Sequence, residues 1–405
     1  MSTEVVENPG IEPGREEDHL VHEAVGPALT PVQTGVALAM GVIALVVSGS
    51  MPLLLGALAA DGRLPVARIG DTAMVESLAM ALTNAIFSSA VKPARMRLIG
   101  VVSILALAAI DFSMIFVSGW GVIGLRALAG APEGILLWFT IGMIVRSTTP
   151  ERWAGVYYTG LTLAELGLAA AFTAVVVPKF HADGAFILAA ILIAVCAPLP
   201  FLGLDRYAVL PDGSSKAGAP PPRGWVALSA TFLFTAGLTG VAIYFVPLAQ
   251  QAHLSAQVAG VAITASLGVQ IVGSAMATAL AGRVHYFLVL MFTIVVVLAS
   301  WASFMAMPPA WLFIAAAMAI GFVALFSSPF QVPMLIEADP TRRAAAQSGG
   351  VGLLGGAAGP FLASRAVGDH DVHGVVYLGA VLMIVAMAIY IYLRLTAGKS
   401  AAARA

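Results

Sequence analysis

The chain has 405 residues, of which 60% are hydrophobic and only 10% charged, and its mean hydropathy is +0.95. A soluble domain carries about a quarter charged residues, so the composition points away from a water-soluble fold. The 20 Lys and Arg nearly cancel the 21 Asp and Glu, with no basic block interleaved with aromatics to suggest nucleic acid. The single Cys196 excludes a disulfide framework and a cysteine-based metal cluster, and no cofactor is expected.

Residues 1–33 hold Glu4, Glu7, Glu12, Glu16, Glu17, Asp18 and Glu23 against one Arg15, the reverse of a signal peptide's basic start. The segment reads as a disordered, uncleaved acidic tail. Apolar runs long enough to cross a ~30 Å hydrocarbon core follow. They fall at roughly 34–58, 67–91, 98–118, 120–145, 153–177 and 185–204, then at 225–248, 257–281, 286–306, 309–335, 345–366 and 374–394. Between the two sets, residues 205–224 carry Pro211, Gly213, Ser214, Ser215, Gly218 and Pro220 to Pro222, which reads as a linker. The expected fold is an all-α polytopic membrane protein of twelve transmembrane helices, with six-helix bundles at 34–204 and 225–395 and a tail at 396–405.

Twelve spans put both termini on one side, and the bias of Lys and Arg in short loops says which. One side holds fifteen: Arg15, Lys92, Arg95, Arg97, Arg146, Arg152, Arg206, Lys216, Arg223, Arg283, Arg342, Arg343, Arg394, Lys399 and Arg404. The other holds Arg63, Arg68, Lys179 and Arg365, while Arg126 lies inside a span. Both termini are therefore expected in the cytoplasm, and the alanine-rich spans with short loops suggest a bacterial inner membrane.

Sliding the chain against itself by 190 residues yields ungapped matches in two regions. LAADGRLPVARIG from Leu58 meets LAQQAHLSAQVAG from Leu248, and TPERWA from Thr149 meets DPTRRA from Asp339. Two parallel six-span halves rocking about a site between them is one design of secondary transporters.

The span carrying RALAGAPEG places Gly130 and Gly134 at four-residue intervals after Arg126. In this and in its two-half layout the chain resembles the major facilitator superfamily from about Thr34 to Leu395. The family's acidic, Gly-rich loop between spans two and three is reduced to SSAVKPARMRL, keeping Lys92, Arg95 and Arg97 without the acid. The G-x-x-x-G-P pattern associated with exporters in span five is absent there, yet Gly355, Gly359 and Pro360 form it in span eleven. The resemblance implies that spans one, four, seven and ten line a central cavity, which would admit Arg126, Glu133, Tyr244 and Gln331.

Ionisable residues at mid-bilayer cost about 2.5–3.5 kcal/mol each on insertion scales, so each needs a partner, a water cavity or neutralisation. Five stand out, all in the first half: Glu76, Asp111, Arg126, Glu133 and Glu165. Their positions 190 residues on are Ser266, Trp301, Ala316, Val323 and Gly355, none of them charged. Asp111 lies eight residues before Gly119 and Arg126 seven after it, so in a hairpin the two sit at one depth and can pair. Glu133 and Glu165 each lie thirteen residues from a cytoplasmic arginine, Arg146 and Arg152, at another common depth. Arg126 and Glu133, seven residues apart, share a helix face. The functional reading is a carboxylate network around Arg126, with Glu76, Glu133 and Glu165 left over for protons or a cationic solute; the bland reading of Asp111 is a pair tying two helices together. Glu76 either lines the interface between the halves or reaches water at the outer mouth.

In the second half Tyr244, Gln270 and Gln331 are the polar candidates to touch a solute, against the alternative of plain interhelical hydrogen bonds. Pro329 and Pro333 flank Gln331, and proline frees carbonyls where a helix lines a cavity. The expected activity is proton-coupled movement of a small organic solute by a monomer in the bilayer, with direction and solute charge open. The rivals are a receptor or sensor on the same scaffold and a membrane-embedded enzyme. The latter has no H-E-x-x-H zinc helix and no phosphate-cradling G-x-x-x-x-G-K to work with.

Overall fold

The computed structural model describes residues 29–91, 94–144, 150–207, 219–280, 283–340, 343–368 and 371–402. Most of the acidic tail, the middle of the linker and the loop residues Lys92, Arg146, Lys216 and Arg342 lie outside those ranges. The described chain is helical, with one isolated backbone bridge between Ala94 and Arg206.

The first helix, α1 (Pro31–Gly49), starts on a capping box. Thr30 Oγ1 accepts from the Gln33 N–H at 3.3 Å, Gln33 Oε1 accepts from the Thr30 N–H at 3.0 Å, and Pro31 takes the first helical position. It breaks at Gly49 and Ser50, and the chain resumes as α2 (Met51–Ala60) with Pro52 in the first turn. Then come α3 (Ile69–Ala90), α4 (Met96–Ser113), α5 (Trp120–Ile144), α6 (Pro150–Ala171), α7 (Val177–Val195) and, beyond the linker, α8 (Pro222–Ala242), α9 (Phe245–Gln251), α10 (Ala256–Leu280), α11 (Tyr286–Met305), α12 (Ala310–Ala338), α13 (Arg343–Ala366) and α14 (His373–Ala402). A π-helical turn, Phe172–Val176, joins α6 to α7.

Among the described residues nine helical stretches are long and apolar enough to cross a membrane, which makes the chain a multi-pass helical membrane protein. One stretch, Trp153–Leu202, runs for 50 residues and is interrupted at His181, whose φ of 56° and ψ of −158° are not helical. The helices are polar inward and apolar outward. On α4, Leu98, Val102 and Leu105 are exposed while Ser103, Leu107 and Asp111 are buried, the pattern lipid imposes. Two helices, α3 and α13, fall outside the nine stretches because Asp71 and Glu76 in one and a run of glycine and alanine in the other lower their hydropathy.

The repeat is visible in contacts. Asp61 Oδ2 accepts from the Ala182 N–H at 3.1 Å, and Gln251 Oε1 accepts from the Val372 N–H at 2.7 Å; both partners are displaced by 190 residues. Gly130 packs against the backbone at Glu76, and Gly321, one residue past the 190-residue counterpart of Gly130, against the backbone at Ser266.

The residues before and after the linker meet mainly at the end of the helices remote from it. There Gly70 packs on the Pro360 carbonyl and on Ser364, Gly56 on Val246, and Gly260 on Thr173. At the linker end the same faces diverge. Gly155 shares a face of α6 with Leu166, and Gly349 and Gly356 share a face of α13 with Pro360. A Cβ built on Leu166's contact Gly268 lies 4.0 Å from Leu166, whereas one built on Gly155, Gly349 or Gly356 meets nothing within 4 Å. The hydrogen bonds from Gly70 to Tyr244 and from Ser364 and Arg365 to Asp71 join the halves at the remote end.

Candidate functional site

Arg126 lies fully buried on α5, and three carboxyl groups from three helices surround it. Its Nε donates to Glu76 Oε2 of α3 at 3.0 Å and its Nη1 to Asp111 Oδ1 of α4 at 2.6 Å. Its Nη2 donates to Glu76 Oε1 and, at 3.3 Å, to Glu133 Oε1 two turns along α5. The close approach of α3 to α5 depends on glycine: a Cβ on Gly130 would sit 2.8 Å from the Met80 nitrogen, and one on Gly134 3.0 Å from that of Asn84. That approach carries Glu76 to the guanidinium. Pro132, inside α5, removes a backbone donor beside the cluster.

Ser48, at the end of α1, completes the group. Its Oγ lies 2.9 Å from Glu76 Oε1 and 3.2 Å from Glu133 Oε1. A hydroxyl has one proton to donate, so only one of these contacts has Ser48 as donor; the other is a hydrogen bond when that carboxyl carries a proton. Asp111 Oδ2 and Glu133 Oε2 are buried without a hydrogen-bond partner.

The expected pairing of Asp111 with Arg126 and the shared face of Arg126 and Glu133 are both present. Two expectations need correction. Glu76 and Glu133 are not spare carboxylates, since both bond to Arg126. Glu165 does not join them: it packs on the other side of the α1 break, against Gly49, with no hydrogen bond or ion pair among the described residues. Equal depth placed it at the right level, but α1 stands between it and Arg126.

Tyr244 also departs from expectation. It is fully buried, and its Oη accepts from the Gly70 N–H at 3.1 Å, so it seals the remote end rather than facing a solute. Gln270 and Gln331 are half-buried and have no hydrogen-bond partner among the described residues. Two groups escaped sequence reasoning. Ser48 is one, and the clustering of small polar residues with glycine and proline in SGSMP was its signal. The other is Asp71, whose carboxylate takes Ser364 Oγ at 2.9 Å, Arg365 Nη1 at 3.2 Å and Arg68 Nη1 at 3.0 Å, tying α3 to α13.

No protein-family model and no curated protein matches the chain. Solved structures do. A mutant of the nucleoside transporter NupG superposes with a TM-score of 0.69 at 13% identity, over 89% of this chain and 99% of that one. A bacterial homologue of the human lysosomal transporter Spinster, inward-facing and unoccupied, superposes at 0.57 with 14% identity over 92% of this chain and 96% of that one. Its occupied inward-facing form gives 0.55 at 14% identity, over 96% of each chain. The chain shares the fold of these solved transporters. At these identities the likeness concerns the fold, and the Arg126 cluster has to be read on its own chemistry.

Proposed function

We propose that the chain is a proton-coupled secondary transporter that moves a small organic solute across the cytoplasmic membrane by alternating access. The observation that carries this is the buried cluster: one guanidinium faces three carboxyl groups, so with all three ionised the site would hold two uncompensated charges out of reach of water. Such a charge costs several kcal/mol even after relaxation, and a proton removes it. Ser48 Oγ lies within hydrogen-bond distance of both Glu76 and Glu133 and bridges them.

The proposed topology has twelve crossings. Fifty residues of helix span about 75 Å, more than twice the hydrocarbon core, so Trp153–Leu202 is counted as two crossings either side of His181. Adding α3 and α13 to the remaining stretches gives twelve, in bundles at 34–204 and 225–395. With the linker and both termini in the cytoplasm, as the Lys and Arg bias indicates, the open end faces inward. Alternating access is then the exchange of remote-end contacts, Gly70 on Pro360 and Gly260 on Thr173, for contacts at the linker end.

The reading is of a carrier rather than an enzyme, in keeping with the transporters that share the fold. It is tested in proteoliposomes holding a pH-sensitive dye, challenged with a panel of organic solutes. A transported solute is expected to move protons in wild type and not in Glu133→Gln. Solute uptake by wild type with no proton movement contradicts the coupling.

A further inference from the structure

We propose that Glu165 is the anchor for an organic cation, which makes the transported solute a positively charged, amine-type molecule; this rests on the transporter reading and specifies its substrate. Two observations on opposite sides of the α1 break lead to it.

The first removes the competing chemistry. By residue type alone, Arg126 suits an organic anion. In the structure its Nε, Nη1 and Nη2 are all spent on Glu76, Asp111 and Glu133, and its side chain has no exposed surface. It is also the only basic residue placed inside the described spans, the others lying at helix ends. Within the described spans an anion therefore finds no free cation to meet it.

The second is where Glu165 points. On α6, Leu166 faces α10, and Tyr157 faces α1, its hydroxyl donating to the Gly41 carbonyl at 3.3 Å. At 100° per residue, Glu165 falls between these two directions. The opposite side of the helix carries Val156 and Leu163, which are 45% and 54% exposed, as lipid-facing residues are. Glu165 is thus directed between α1 and α10, half-buried and with no hydrogen bond or ion pair among the described residues. Two turns toward the linker end, on the same face, the Tyr158 ring is 58% exposed. The space between those helices has opened there, since Gly155 has empty space beside it.

A carboxyl held away from bulk water with no counter-ion among the described residues takes up a proton or meets a cation, and an aromatic face at the entrance is a second attraction for an organic one. The same arrangement supplies the coupling. Gly49 touches the Glu165 side chain while its neighbour Ser48 touches Glu76 and Glu133. A cation drawn to Glu165 therefore presses on the hinge that bonds the proton-bearing carboxyls.

The test is equilibrium binding of radiolabelled tetraphenylphosphonium to the purified full chain in detergent, with benzenesulfonate as the anionic competitor. Saturable binding to wild type is expected, about tenfold weaker or worse in Glu165→Gln, retained in Glu165→Asp and not displaced by benzenesulfonate. Gly49→Ala puts a methyl group where the carboxyl lies and is expected to weaken binding while every charge is kept. Melting profiles matching wild type separate loss of the site from loss of the fold. Absence of saturable binding to wild type, or equal binding to Glu165→Gln, overturns the proposal. Binding requires neither a gradient nor proton movement. Cation binding without solute-driven proton flux would therefore leave this site standing and remove the coupling, and flux driven by an anion would do the reverse.

Discussion

The residues before the linker and those after it are built on one plan and filled differently. In both, a glycine lets two helices close on each other, Gly130 on the backbone at Glu76 and Gly321 on that at Ser266, and in both a side-chain oxygen caps the backbone 121 residues on. Only the leading half places charge in the space so formed. Where it has Glu76, Asp111, Arg126 and Glu133, the trailing half has Ser266, Trp301, Ala316 and Val323. The scaffold thus does not require the charges. Groups that cost several kcal/mol to bury, and that an uncharged copy of the same scaffold does without, are most simply explained by what they do.

Substitutions can break or sharpen that comparison. The largest effect is expected from Arg126→Gln, which leaves three buried carboxyls without their common partner. Removing one side of a buried ion network costs about 3–5 kcal/mol, so folded yield and thermal stability in detergent should fall sharply. Next comes the mirror experiment, Val323→Glu, which puts a carboxyl at a site only 1% exposed. A cost of about 2.5–3.5 kcal/mol is expected in the same melting assay, and a stable variant would mean the trailing half tolerates charge as well. Glu133→Gln keeps the shape and a hydrogen-bonding group, so stability should change by about 1 kcal/mol or less while proton flux is lost.

Smaller effects belong to the remote end. Asp71→Asn loosens the tie from α3 to Ser364 and Arg365, a partly exposed pair worth about 0.2–1 kcal/mol. Spin labels at Gly62 and Gly368 should report more of the state open at that end. The smallest concerns Asp371, whose carboxylate is held below the ordinary range by the hydrogen bond from Gln251 Nε2 and by that from the His373 N–H. A depressed value means its contribution is complete above pH ~4 and is lost as the pH falls through the folded-state value. Acid melting curves of wild type and Asp371→Asn should therefore converge at low pH.

Much of this was legible beforehand. Length and polarity gave the helices, the 190-residue offset gave the repeat, and depth counting from Gly119 paired Asp111 with Arg126, because rise per residue is a property of one helix. Azimuth between helices is not. That is why Glu165 was placed with Arg126 although the α1 break lies between them, and why Tyr244 was assigned to the cavity although it closes on Gly70. The turn at Gly49 and Ser50 decides both what Ser48 bonds and what Glu165 faces, and nothing in a hydropathy pattern fixes how a broken helix is rotated.

The central claim is that Arg126 cannot hold three ionised carboxyls, so the cluster stores at least one proton at neutral pH. Infrared spectra of wild type and of the Glu76→Gln, Glu133→Gln double variant test it directly, because carboxyls outside the cluster cancel in their difference. A protonated-carboxyl carbonyl band present in wild type and missing from the variant is the expected result. A difference containing only ionised-carboxylate bands would contradict it.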